Sequence, residues 1–126
     1  MNIKRVLIVD DEYRIREVTK IALEMMAGWD VLTASSGKEG LLQAQVQQPD
    51  AILLDMMMPD MDGTATLVEL QANSATRYIP VVLLSAKVQI NDRSQFAPLG
   101  VKAIIPKPFD PLKLAIQIAE ALGWEP

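Results

Sequence analysis

The chain contains no cysteine and no histidine. The first absence excludes a disulfide framework and thiolate zinc sites, and the second removes imidazole as base, nucleophile or metal ligand. Any metal bound here must be held by oxygen, which selects hard cations such as Mg²⁺ or Ca²⁺. Long apolar runs are missing too: no segment approaches the ~20 residues that cross a bilayer. The start, MNIKRVLIVDD, meets acidic residues too soon for a secretory signal, so a cytoplasmic location and no membrane contact are expected. An excess of positive charge is also lacking. With a net charge of -4 there is no cluster of Lys and Arg for phosphate contacts, and direct nucleic-acid binding is not expected.

What is present fits one globular unit. Half of the 126 residues are hydrophobic and 22% are charged, enough for one substantial core but not two. A single domain over residues 1–126 is expected, with no output domain attached, since only three residues follow Gly123. Apolar runs at Val6–Val9, Val31–Thr33, Ala51–Leu54, Val81–Leu84 and Ala103–Ile105 predict five short buried strands. Between them, Ile15, Val18, Ala22 and Met25 mark one helix face, with Glu12 and Arg16 four apart on its exposed side. Ser36 and Glu39 form a capping box ahead of Leu41, Leu42, Ala44 and Val46, and Gly63 with Thr64 opens a third helix carrying Leu67, Val68 and Leu70. The segment from Lys87 to Leu99 is a diluted helix, with Asn91, Asp92 and Ser94 in its pattern and Pro98 breaking it. Asp110 and Pro111 cap a last helix through Leu114, Ala115, Ile118, Ala119 and Leu122, stopped by Gly123. Strands alternating with helices call for an α/β fold with a parallel sheet, right-handed crossovers and helices on both faces.

In such a sheet the ligand site lies beyond the carboxyl ends of the strands. Asp10 and Asp11 follow the first strand, Asp55 the third and Ser85 the fourth, while Lys107 stands just past the fifth. Taken singly, each is a turn or cap residue. Together they place three carboxylates, a hydroxyl and an ammonium on one edge, and crowded carboxylates are unfavourable unless a cation or a proton compensates. Mg²⁺ suits such a cluster, and Asp55 beside it could act as a carboxylate nucleophile toward a phosphoryl donor. Lys107 would balance charge on the opposite side, and Ser85 would donate to a phosphoryl oxygen.

The motifs VLIVDDE at 6–12, AILLDMMMPDMDG at 51–63, VVLLSA at 81–86 and KPF at 107–109 resemble, over essentially the whole chain, the CheY-like receiver domain of two-component response regulators. The resemblance implies a flavodoxin-like doubly wound (βα)5 sandwich with strand order 2-1-3-4-5. It implies phosphorylation of Asp55, Mg²⁺ on Asp10, Asp11, Asp55 and the carbonyl of Met57, and phosphate binding and switching by Ser85, Ala86 and Lys107. A cis bond before Pro108 and a structural role for Gly63 follow in the same way. The implied phosphodonor is a histidine kinase or histidine phosphotransfer protein. Output would pass to another protein or to a second copy docked through the last two helices and last strand. The only catalysis implied is of the domain's own phosphorylation and dephosphorylation. Where many receivers carry Tyr or Phe three residues before the phosphate-binding lysine, this chain has Ile104, which leaves no aromatic side chain to swing inward. Lys87 and Met57 stand where the family tunes access of the hydrolytic water.

Two other motifs read as coincidences. Asp60 to Thr64 spells DMDGT, the nucleophile motif of a phosphohydrolase class, but Pro59 precedes it where a buried strand is required. The same loop nearly fits a calcium hand, yet Met58 occupies the first ligand position. Asp60 and Asp62 read as turn residues, with Gly63 permitting the backbone angles. The alternatives to a phosphorylated receiver are a phosphorylation-independent adaptor, suggested by Ile104, and a small phosphatase using DMDGT.

Overall fold

In a computed structural model that describes residues 3–58, 61–85 and 97–124, strands and helices alternate along the chain. The order is β1 (Arg5–Val9), α1 (Tyr13–Ala27), β2 (Asp30–Ala34), α2 (Gly37–Gln47), β3 (Ala51–Asp55), α3 (Gly63–Ala72), β4 (Val81–Ser85), β5 (Val101–Pro106) and α4 (Pro111–Leu122). All strand pairs are parallel, in the order β2-β1-β3-β4-β5. This is the doubly wound α/β architecture read from the motifs.

The central strands β3 and β4 are buried along their full length, as covering both faces of a parallel sheet requires. Alternation along β1 splits the core in two. Leu7 and Val9 join Leu54, Leu67, Leu70, Leu83 and Ile104 beneath α2 and α3, whereas Val6 and Ile8 join Leu23, Leu53, Val82, Leu114 and Ile118 beneath α1 and α4. Each fully buried Leu or Ile contributes about 1.5–3 kcal/mol of apolar transfer. The fifth strand starts earlier than its apolar run. Its pairing skips from Val81↔Val101 to Val82↔Ala103, so Lys102 is an extra residue at an irregularity, where its charge hides the strand pattern.

The helices correct several expected faces. On α1 the buried residues are Thr19, Ala22 and Leu23, while Val18 and Met25 are exposed. On α2 they are Gly37, Gly40 and Ala44, with Leu42 and Val46 facing solvent, and on α3 Val68 is exposed. On α2 the inner stripe is all glycine and alanine because that helix lies close to the sheet, and its larger apolar residues are displaced outward. The expected Ser36 box is also only half formed. Ser36 Oγ accepts from the Glu39 N–H at 3.1 Å, but the Glu39 carboxylate takes the N–H and hydroxyl of Ser35. The last helix agrees with its reading: Asp110 accepts from the Leu112 N–H, Pro111 opens it and Gly123, at φ 70°, closes it. Most of the diluted helix expected from Lys87 to Leu99 lies outside the described residues, and its end, Ala97–Leu99, is a 3₁₀ turn.

At the lower edge, Trp29 and Trp124 pack edge to face at 5.2 Å, with the Lys4 ammonium 5.0 Å from the Trp124 ring. Trp124 is thus partly covered within the domain, with Lys4 over its ring. Among the described residues no helix is long and apolar enough to cross a membrane.

Gly40 marks a close approach of α2 to the sheet. A β-carbon there would lie 2.8 Å and 3.0 Å from the two methyl carbons of Val9. Replacing Gly by Ala in a helix gains up to about 1 kcal/mol, whereas overpacking a core costs about 1–3 kcal/mol. Because Val9 is stiff at χ1 and fully buried, overpacking should win. Gly40→Ala is expected to lower the urea midpoint, and an unchanged or higher midpoint would show that Val9 can move aside.

Candidate functional site

The register of the sheet places the chemistry. Val9 pairs with Leu54, so the next residues, Asp10 and Asp55, emerge side by side from adjacent strands. Asp55 pairs with Leu84, and Ser85 with Pro106, which brings Ser85 and Lys107 to the same edge. One carboxylate oxygen from each of Asp10, Asp11 and Asp55 lies within 4.8 Å of the others. Asp10 and Asp55 are buried, Asp11 is exposed, and Ser85 is buried at the end of β4.

Hydrogen bonds hold these groups in place. The Asp10 N–H donates to the Ala34 carbonyl at 3.1 Å, and Asp10 Oδ1 accepts from the Glu12 N–H at 2.9 Å. Asp55 Oδ1 accepts from the Met57 N–H at 3.2 Å. Lys107 Nζ bridges the two buried acids, 2.9 Å from Asp10 Oδ2 and 3.3 Å from Asp55 Oδ1. Its own N–H donates to the Ser85 carbonyl at 2.8 Å, and the Lys107–Pro108 peptide bond is cis.

The electrostatics are strained on the acidic side. Burial pushes the Asp55 carboxyl above its usual 3.8, and the nearby Asp10 charge adds to this, against the opposing Met57 N–H and Lys107. Burial also works against the Lys107 ammonium, yet its pKa stands above 10.5 because the hydrogen bond and charge of Asp10, and then Asp55, favour the protonated form. Three carboxylates meet one ammonium, an excess of two negative charges that a divalent cation would match. The donors are all hard oxygens. The three ligand oxygens lie within 4.8 Å of one another, and the exposed Asp11 side chain is free to turn toward a shared ion.

The other expected residues fall out as follows. Met57 sits at the rim with its side chain exposed. Ala86, Lys87, Pro59 and Asp60 lie outside the described residues. Asp62 is the N-cap of α3, accepting from the Ala65 N–H at 2.8 Å. Gly63 is needed for a reason other than backbone angles, because its φ is not positive. A β-carbon there would meet the Met56 backbone at 2.7 Å and the Asp55 carbonyl at 3.0 Å, so only glycine lets α3 close onto the end of β3. Ile104 is part of the core, buried under α3. One residue was missed. Arg16, read as half of an exposed pair with Glu12, instead donates from Nη1 to the Asp10 carbonyl at 2.9 Å, a contact no helical spacing announces.

A raised native pKa at Asp55 means that its ionised form costs stability. The cost is absent while the group is protonated in both states, below about 3.8, and grows as pH rises through the native pKa. Lys107 has the opposite effect: its contribution is complete below 10.5 and is lost as pH rises through its native value. Asp55→Asn is therefore expected to raise the melting temperature by a few degrees at pH 7 in chelator, with the advantage vanishing toward pH 4. Equal melting temperatures at neutral pH would contradict this reading of Asp55.

Comparison with known proteins agrees with this geometry. Residues 6–119 match the response regulator receiver domain model. The chain is 37% identical over 122 residues to the probable transcriptional regulator ycf27 of Cyanophora paradoxa, covering 97% of this chain and 49% of that protein. It thus spans about half the length of the curated relatives it matches. It superposes on the chemotaxis response regulator CheY4 of Vibrio cholerae with a TM-score of 0.87 and 28% identity, covering 95% of this chain and 99% of the other. The receiver domain of sensor histidine kinase PA1611 from Pseudomonas aeruginosa, with a magnesium ion coordinated in its active-site cleft, aligns with a TM-score of 0.83 and 26% identity over 97% and 99% of the two chains. With the family match running over residues 6–119 and the acidic edge assembled, this chain belongs to the response regulator receiver domain family of two-component signalling.

Proposed function

We propose that the domain accepts a phosphoryl group on Asp55 from a phosphohistidine of a histidine kinase or phosphotransfer protein, and signals through its surface. The observation that carries this is the pairing of a buried carboxylate, Asp55, with Lys107 and two further acids at one sheet edge. In the transfer, the P–N bond of the donor breaks as a P–O bond forms to an Asp55 oxygen, and the electron pair of the broken bond stays on the imidazole. Asp10, Asp11, Asp55 and the carbonyl of Met57 would hold Mg²⁺, which when bound offsets charge on the transferring group. Lys107, already between Asp10 and Asp55, can exchange its contact with Asp55 for a phosphoryl oxygen. The Ser85 hydroxyl and the Ala86 N–H are the donors we assign to the remaining oxygens.

Phosphorylation adds close to two negative charges at about neutral pH. That charge favours a packing in which Ser85 and Lys107 close on the phosphoryl group, and β5 and α4 transmit the change to a docked protein or to a second copy of the chain. Turnover of an external substrate is not part of this reading: the domain makes and hydrolyses only its own acyl phosphate. A phosphorylation-independent adaptor draws support from Ile104, which is already packed in the core and has no ring to reorient. A phosphorylation-dependent change in partner affinity separates the two.

Intact-mass analysis with a small acyl phosphate and Mg²⁺ tests the proposal. The wild type should gain one phosphoryl group mapped to Asp55, chelator should abolish the gain, and Asp55→Asn should stay unlabelled. Equal labelling of wild type and Asp55→Asn would overturn the assignment, and turnover that needs Asp60 in place of Asp55 would move the chemistry to the DMDGT loop.

A further inference from the structure

Arg16 is a half-buried cation in the first turns of α1, with Glu12 and Lys20 one turn away on either side and Glu17 beside it. An arginine in this setting ordinarily pairs with a carboxylate on its own helix. It does not: the ion pairs among the described residues are Arg5–Asp30 and those of Lys107 with Asp10 and Asp55. Its guanidinium turns back toward the sheet and donates to the Asp10 carbonyl at 2.9 Å, covered by the Tyr13 ring at 5.6 Å. The ring holds one face of the guanidinium by a cation–π contact.

That carbonyl belongs to the peptide joining Asp10 to Asp11. The peptide is planar, so fixing the oxygen fixes the N–H and Cα of Asp11 as well. Asp11 depends on this more than its neighbours do. Asp10 and Asp55 have carboxylates tied by Lys107 and by backbone N–H groups, whereas the Asp11 carboxylate has no hydrogen bond or ion pair among the described residues. The backbone is therefore its one fixed support, setting where its side chain starts.

We infer that Arg16 is a positioning residue for the metal-binding acids, acting through the Asp10–Asp11 peptide and needed to present Asp11 to the cation. The inference rests on the Mg²⁺-dependent reading of the site. It has a sign opposite to a purely electrostatic role. Removing a positive charge beside three carboxylates would tighten cation binding, whereas loosening an outer support of a metal site weakens it, about 10–100-fold in known sites.

The test titrates the full chain with Mg²⁺ alone, followed by calorimetry and by backbone amide NMR, for wild type, Arg16→Ala and Arg16→Lys. Arg16→Ala should bind Mg²⁺ about tenfold more weakly, yet reach the wild-type labelling endpoint with a small acyl phosphate at saturating Mg²⁺. In metal-free protein its Asp11 and Glu12 amides should shift and exchange faster. Arg16→Lys, which supplies one donor without the planar fork, should fall between and serves if the alanine variant does not fold. Unchanged or tighter Mg²⁺ binding by Arg16→Ala, with wild-type binding intact, overturns the inference. If the wild type itself takes up no Mg²⁺, the functional reading fails, and the metal-free amides decide this one: unchanged exchange at Asp11 and Glu12 refutes it, and faster exchange supports it.

Discussion

Two buried carboxylates, Asp10 and Asp55, stand side by side at the ends of neighbouring parallel strands, with the Lys107 ammonium bridging them. In a low-dielectric edge this is costly, because burial disfavours each charge and the two acids repel. Lys107 offsets part of that cost, and the Glu12 and Met57 N–H groups offset more. The remainder leaves Asp55 harder to ionise than an ordinary aspartate. A site in that condition gains by accepting a cation, and the arrangement is held because the sheet beneath it is packed on both faces.

The rest of the structure serves this edge. Parallel pairing carries β1, β3, β4 and β5 to the same side, and the apolar layers above and below fix their registers, since a slip by one residue would exchange inward and outward side chains. Close approaches complete the support. Gly63 lets α3 start against the end of β3, and Gly40 brings α2 onto Val9, the residue before Asp10. From the other face, Arg16 on α1 reaches the Asp10 carbonyl. The edge that carries Asp10 and Asp55 is thus braced from both layers. This differs from a site built on loops, where each side chain would have to order itself at an entropic cost.

Much of this was legible in the residues. Strands β1, β3 and β4 are continuous apolar runs ending in Asp10, Asp55 and Ser85, so the edge could be assembled from sequence before any contact was known. The last helix announced itself through Asp110, Pro111 and Gly123, whose roles are local. The face of α2 was misread at Leu42 and Val46 because periodicity finds large apolar residues, whereas this helix lies close to the sheet and buries glycine and alanine; on α1 the buried stripe runs through Thr19, Ala22 and Leu23, leaving Val18 and Met25 outside. The start of β5 was hidden by Lys102, and the partners of Glu39 and Arg16 were misassigned because both bonds leave the pattern of the helix.

The sequence by itself determined the alternation of elements, the chemistry of the edge and the restriction to oxygen ligands, because these follow from residue type, short-range spacing and the absence of histidine and cysteine. Only the tertiary structure decided that Lys107 bridges Asp10 and Asp55, that Gly63 is required by a close approach in place of a turn angle, and that Arg16 grips the peptide of Asp10. Each joins residues through the packing of a strand end against another element. Such distances depend on how close the helices lie to the sheet, a quantity that no single stretch of sequence contains.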